Sequence, residues 1–324
     1  MWWRSAATVV ANWSVSSTGT LIYVPNIPAD AVRPVWVSRD GAIAPAEHLP
    51  AGHAPRLSPD GKQVLVEVDK DVWIYEVATG RRRRLTADNA SGRPAWHPTG
   101  KQIAYTSTRS GSPEVWLMNA DGTGTPRQLT DLPGAAHVDS WSPDGRTLAF
   151  HHHPPGEAPN EILTIAPENP AARPQPLVQG GFAAEDAVFS PDGRYVAYLS
   201  ADSGRREIYV RAFPGPGPQV PVSVGGGREP IWGRSGEIFY RTLTGDRMMA
   251  AKVATAPTLT IGAPSELFEG DYFMSPPTGS PRPQYDVTAD GLRFLMLQPD
   301  RTIQAEIVVV QNWFEELRRV IPVK

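Results

Sequence analysis

There is no cysteine among the 324 residues. A disulfide frame, a thiolate zinc site and a cysteine nucleophile are therefore excluded together. Long apolar runs are missing too: no stretch approaches the roughly 18 residues that span a bilayer, and Met1-Trp2-Trp3-Arg4 followed by Ser5 to Val10 lacks the apolar core of a signal peptide. The expectation is a soluble chain without membrane insertion, cytoplasmic by default and extracytoplasmic if it is a fragment of a membrane protein. Charge of one sign is also lacking, since 31 Lys/Arg against 34 Asp/Glu leave a net charge of −3. No global field gathers nucleic acid or anionic lipid, so neither is expected as a partner.

What is present is punctuation: 34 prolines and 29 glycines spread along the chain leave room for many short elements and almost none for long helices. One turn signature recurs around Gly19, Gly61, Gly100, Gly145, Gly193, Gly236 and Gly291, about 45 residues apart on average, the period of a four-stranded propeller blade. The clearest copies read Leu57-Ser58-Pro59-Asp60-Gly61, Trp141-Ser142-Pro143-Asp144-Gly145 and Phe189-Ser190-Pro191-Asp192-Gly193. Proline presets φ at the first corner, aspartate suits the second and glycine takes the left-handed exit, so each copy is a hairpin. An apolar residue stands four places before every anchor glycine and another three places after it (Ile22, Val64, Ile103, Leu148, Val196, Phe239, Phe294).

A third strand follows each hairpin, from Val35-Trp36-Val37 in the first copy to Ile307–Val310 in the last, and weaker polar fourth strands follow several of these. Asn312 and Glu315 have capping-box spacing and Arg318 and Arg319 trail, which predicts a terminal helix over about 312–320. The fold expected is all-β: one β-propeller over 1–324 of four-stranded antiparallel blades, seven in number with six the alternative. The last copy lacks a fourth strand, and Ser5 to Ala11 are expected to supply it and close the ring.

These repeats resemble the TolB-type, WD40-like propeller module. The segments Phe189 to Tyr198, Glu207 to Pro214, Gly226 to Trp232, Glu237 to Tyr240, Met248 to Ala250, Leu267 to Gly270, Tyr285 to Val287 and Asn312 to Leu317 are similar to the propeller that follows bacterial serine/threonine kinase domains. That resemblance implies a sensory or protein-binding role and a kinase domain encoded upstream as a partner.

Catalytic signatures are absent: there is no Gly-x-Ser-x-Gly elbow, Walker loop, dinucleotide fingerprint, His-Glu-x-x-His or calcium loop. No cofactor is expected. His151-His152-His153 could present two imidazoles on one strand face, but the run leads into Pro154-Pro155 and reads as a solvated strand end. Arg81 to Arg84 read as a charged outer edge. The candidate ligand-binding residues precede the first strand of each blade, where the channel mouth is expected: His53, Arg93, His137, Glu185, Asp186, Arg228, Glu229 and Gln284, with Asp139 one step further in. Such a mixed ring suits a protein or peptide. The alternative is a hydrolase or lyase with a polar or metal site in the channel.

Overall fold

The computed structural model describes residues 13–23, 32–215, 217–275, 282–300 and 308–320. The turn signature folds as its chemistry dictates. In Ser58-Pro59-Asp60-Gly61, the Ser58 hydroxyl donates to Asp60 Oδ1 (2.6 Å) and accepts from the Gln63 amide (2.9 Å), while Asp60 Oδ1 accepts from Lys62 N (3.1 Å). Gly61 closes the turn at φ +71° with its amide on Ser58 O. The same bonds recur at Ser142/Asp144, Ser190/Asp192 and Thr288/Asp290.

Six antiparallel blades result among the described residues, five of them four-stranded and one five-stranded. Blade 1 runs His53–Leu57, Gln63–Val68, Asp71–Glu76 and Arg82–Arg84; blade 2 runs Ser91–Trp96, Gln102–Ser107, Glu114–Asn119 and Arg127–Gln128. Blade 3 comprises Ala135–Trp141, Leu148–His153, Glu161–Ile165 and Gln175–Val178, and blade 4 Ala184–Phe189, Tyr195–Ser200, Glu207–Ala212 and Val220–Pro221. In blade 5, Arg228–Trp232 and Glu237–Arg241 pair outward onto Arg247–Ala254, which carries both Thr260–Ile261 and Ser265–Glu269. Blade 6 joins Tyr285–Val287 and Arg293–Pro299 to Val32–Ser38 and Ile43–Pro45.

The all-β propeller and the short helix, Trp313–Val320, are as expected, and among the described residues the ring has six blades, the alternative, rather than seven. The first hairpin, Trp13–Val15 with Leu21–Tyr23, takes Val308–Val310 as its third strand in a separate three-stranded sheet. The first and last copies have thus exchanged outer strands: the strands that follow the first hairpin complete the last one, and the strand that follows the last completes the first. Burial gives the reason. Three places after the anchor glycine, Val64, Ile103, Leu148, Val196, Phe239 and Phe294 are all fully buried, whereas Ile22 is 44% exposed. The first copy has the turn but no core position to fill. Ring closure falls to Val32–Ser38, paired residue for residue with Pro299–Arg293; Ser5 to Ala11 lie outside the described residues.

The core lies between blades rather than within them. Ala104, Val115 and Leu117 of blade 2 pack on Ala136, Val138, Leu148 and Phe150 of blade 3, and Phe239 and Met248 of blade 5 on Tyr285, Phe294 and Val35 of blade 6. Each valine, leucine, phenylalanine or methionine so buried stabilises by about 1.5–3 kcal/mol. Arg82–Arg84 do form an exposed outer edge strand, and the guanidinium groups of Arg82 and Arg84 both lie 5.7 Å from the Trp73 ring. Trp36, Trp73 and Trp116 are half-buried, packed against the core with arginine guanidinium groups over their rings.

Candidate functional site

The six inner strands converge on one cavity of about 650 Å³, bordered at one end by the hairpin turns. A repeated backbone irregularity shapes its walls. Inner strands of blades 1, 2, 4 and 5 carry a bulge whose first residue, seven places before the anchor glycine, has a left-handed φ: Ala54 (48°), Arg93 (49°), Asp186 (54°) and Glu229 (57°). Non-glycine residues at such φ are strained, and a bulge re-aims the side chain that carries it. Blade 3 bulges at Asp139 instead.

All nine sequence-predicted residues lie within or beside these inner strands, not in solvated loops. Arg93, Glu185, Asp186, Arg228, Glu229 and Gln284 are buried, and the Asp139 side chain is 1% exposed. Arg93, Asp139 and Asp186 reach the cavity. The other six, His53, His137, Glu185, Arg228, Glu229 and Gln284, do not line it. Several of them tie blades together instead: Gln284 Oε1 accepts from Ala54 N (3.0 Å), and Glu229 O accepts from Tyr285 Oη (2.8 Å). His53 stacks on Phe273 with ring centroids 5.1 Å apart.

Four cavity-lining charges were not among the expected residues: Arg56, Arg234, Arg282 and Asp286. Arg56 and Asp286 stand five places before their anchor glycines, on the same strand face as the bulge position, so strand alternation held the signal. Asp286 Oδ2 accepts from Leu57 N (2.6 Å), binding blade 6 to blade 1. Arg282 pairs with Glu67 (2.6 Å), whose carboxylate lies where a side chain at Gly92 would stand. A Cβ there would meet Glu67 Oε2 at 2.1 Å, so only glycine admits that carboxylate.

The histidine run is a further correction. His151 is wholly buried and His152 nearly so, because they belong to the second strand of blade 3 rather than to its solvated end. His151 lies opposite His137, and His153 opposite Ala135, so the rings of His137, His151 and His153 cluster with centroids 5.2–5.3 Å apart. His151 Nδ1 is 2.6 Å from Asp139 Oδ1, and an Arg93 guanidinium nitrogen lies 3.8 Å from Asp139 and 3.4 Å from Asp186. Cross-strand pairing of His137 with His151 was the available signal; Pro154-Pro155 obscured it.

Burial dominates the electrostatics. It pushes Asp139 up to about 8 and Asp186 well above the ordinary carboxylate range, although Arg93 pulls both down. Burial likewise raises Glu185, Glu229 and Asp286. It holds His137 and His151 well below the usual imidazole range, with Arg93 adding to the effect, and brings His153 to about 4.

Around this charged floor stand apolar walls from the position four places before each glycine, including Trp96, Trp141, Phe189 and Trp232. Trp96 Nε1 donates to Arg56 O (2.9 Å), whereas Trp141 Nε1 and Trp232 Nε1 are buried without a partner in the protein. Asp139 Oδ2 and Asp186 Oδ2 are likewise buried and unpartnered.

Fold and cavity together define a six-bladed β-propeller with a charged, aromatic-walled channel. Residues 10–236 match the TolB beta propeller domain (PD40), and the chain belongs to that family. A TolB-assigned structure from Agrobacterium tumefaciens superposes with a TM-score of 0.62 at 18% identity, covering 82% of this chain and 97% of that one. TolB from Acinetobacter baumannii gives 0.52 at 17% identity, over 85% of this chain and 64% of that one. Both likenesses concern the fold alone. Among curated relatives, the tricorn protease homolog 1 of Streptomyces coelicolor is 31% identical over 164 residues, 48% of this chain and 14% of that protein. The uncharacterized peptidase YuxL of Bacillus subtilis is 34% identical over 106 residues, 29% of this chain and 16% of its own. The chain thus spans less than a fifth of either relative.

Proposed function

We propose that this protein is a non-catalytic binding propeller that takes an extended peptide or protein segment into its channel from the hairpin-turn end. One observation carries the reading: orphaned donors and acceptors share a single cavity. Trp141 and Trp232 offer buried N–H groups, while Asp139 and Asp186 offer buried carboxylate oxygens. Leaving such groups unpaired costs about 1–3 kcal/mol each, and a backbone, with a carbonyl and an amide per residue, complements both kinds at once. The tryptophan and proline walls supply apolar contact for its side chains, as hot-spot pockets do.

A sensory role beside a kinase domain is the finer form of this proposal, supported by the likeness of the segments from Phe189 onward, and the gene immediately upstream tests it. A second reading, a hydrolase or lyase, draws on the close Asp139–His151 pair and the peptidase names of the relatives. Against it, the neighbouring Ser140 hydroxyl donates to Ala187 O (2.7 Å) rather than to an imidazole base, as a nucleophile would.

The test is selection of a displayed random-peptide library on the whole protein, followed by calorimetry of the enriched peptides. Val188→Arg, which projects a charge into the cavity from a half-buried wall position, should abolish binding, and Arg82→Ala on the outer edge should leave it unchanged. Enriched peptides indifferent to Val188→Arg would refute the channel as the site.

A further inference from the structure

We infer that Asp139, His151 and Asp186 form a site for a zinc-class divalent cation at the floor of the channel. One donor atom from each lies within 4.8 Å of the others. Zinc–ligand bonds of about 2.0–2.2 Å place donors roughly 3–4 Å apart, so small side-chain rotations bring all three onto one ion. An imidazole with two carboxylates is a borderline nitrogen and oxygen set, suited to zinc or a neighbouring first-row ion rather than to calcium, which takes six to eight oxygens.

The donor set does not stand alone. Asp139 Oδ2 and Asp186 Oδ2 are unpartnered although each side chain is 1% exposed, and both residues face the cavity. The resident counter-ion serves them poorly. A guanidinium normally meets a carboxylate as a two-pronged fork; here one Arg93 nitrogen is shared at 3.4 and 3.8 Å between the Oδ1 atoms of two aspartates. A divalent ion would neutralise both carboxylates and satisfy the oxygens that Arg93 leaves unmet, so with the ion in place a channel occupant meets these two aspartates through the ion rather than directly. His137 and His153, packed around His151 with ring centroids 5.2–5.3 Å away, fix the orientation of the liganding ring. Because Asp139 and Asp186 line the cavity, the ion would keep a coordination position facing it, open to a donor from a channel occupant. Arg93 in this arrangement is the ion's competitor.

The test is titration of the EDTA-stripped whole protein with Co2+, followed through its visible d–d absorption, with Zn2+ displacing it. Saturable uptake of one ion per chain is expected. His151→Gln and Asp186→Asn should each weaken it by more than the roughly 10–100-fold typical of an outer-shell change. Arg93→Gln, which keeps all three donors, should tighten it. His152→Ala, which alters the separate His152–Glu161 pair (3.1 Å), should not change it. The assignment is overturned by the absence of saturable uptake, by uptake that persists in both ligand variants, or by weaker uptake in Arg93→Gln. Should the ligand variants fail to fold by circular dichroism, the direction of the Arg93→Gln change decides.

Discussion

Phe294 stands directly opposite Val37, pairing the second strand of the last hairpin with a strand from near the other end of the chain; both side chains are fully buried. This register closes the ring, and it makes the segment from 32 to 38 as much a part of the last blade as Arg293–Pro299. Amides of the two strands should therefore exchange with solvent together and slowly, and Val37→Pro, which removes a ladder donor from the interior of that pairing, should lower the cooperativity of unfolding. Free exchange over 32–38 beside protected 293–299 would contradict this closure.

Equivalent places in the repeat should not be equivalent in stability. Leu148→Ala should cost about 2–5 kcal/mol, because a fully buried side chain leaves a cavity. Ile22→Ala, at the same offset from its glycine but 44% exposed, should stay within about 0.5 kcal/mol. Urea denaturation of the two variants measures the difference; similar losses would place the first copy in the core after all.

Alkaline pH should loosen the blades. Burial pushes Tyr105, Tyr198 and Tyr240 up to about 12, against about 10 in an unfolded chain. Groups raised on folding contribute stability that is fully present below the unfolded value and lost as pH rises through the folded one. The tyrosine contribution to stability should accordingly be level below about pH 10 and decline toward about pH 12. Replacing the three tyrosines by phenylalanine should flatten that decline, and an unchanged slope would assign it to other groups.

Much of this was legible in the chain. The hairpins were spelled by local chemistry, since Ser58, Pro59, Asp60 and Gly61 satisfy one another within six residues, and the terminal helix by its cap and trailing arginines. The count of blades was not, because Val15 and Ile22 have the right polarity at the right offsets, and only packing reveals that Ile22 stays 44% exposed. Strand exchange between the first and last copies is a long-range event that leaves no local mark. At the channel, the bulge residues were found from their spacing, whereas Arg56 and Asp286 required the alternation to be followed two residues further. His151 was set aside because a proline pair follows the run, and its burial depends on Asp139 and the next blade, which no strand pattern shows.

The most direct test of the channel as the binding site is hydrogen–deuterium exchange of the whole protein with and without a library-selected peptide. Protection is predicted to concentrate in the inner strands and hairpin turns of several blades, over 56–61, 93–98, 138–143, 186–191 and 230–234, with outer strands such as 82–84 and 127–128 unchanged. Protection confined to the outer strands, or to the separate sheet of 13–23 and 308–310, would contradict the account.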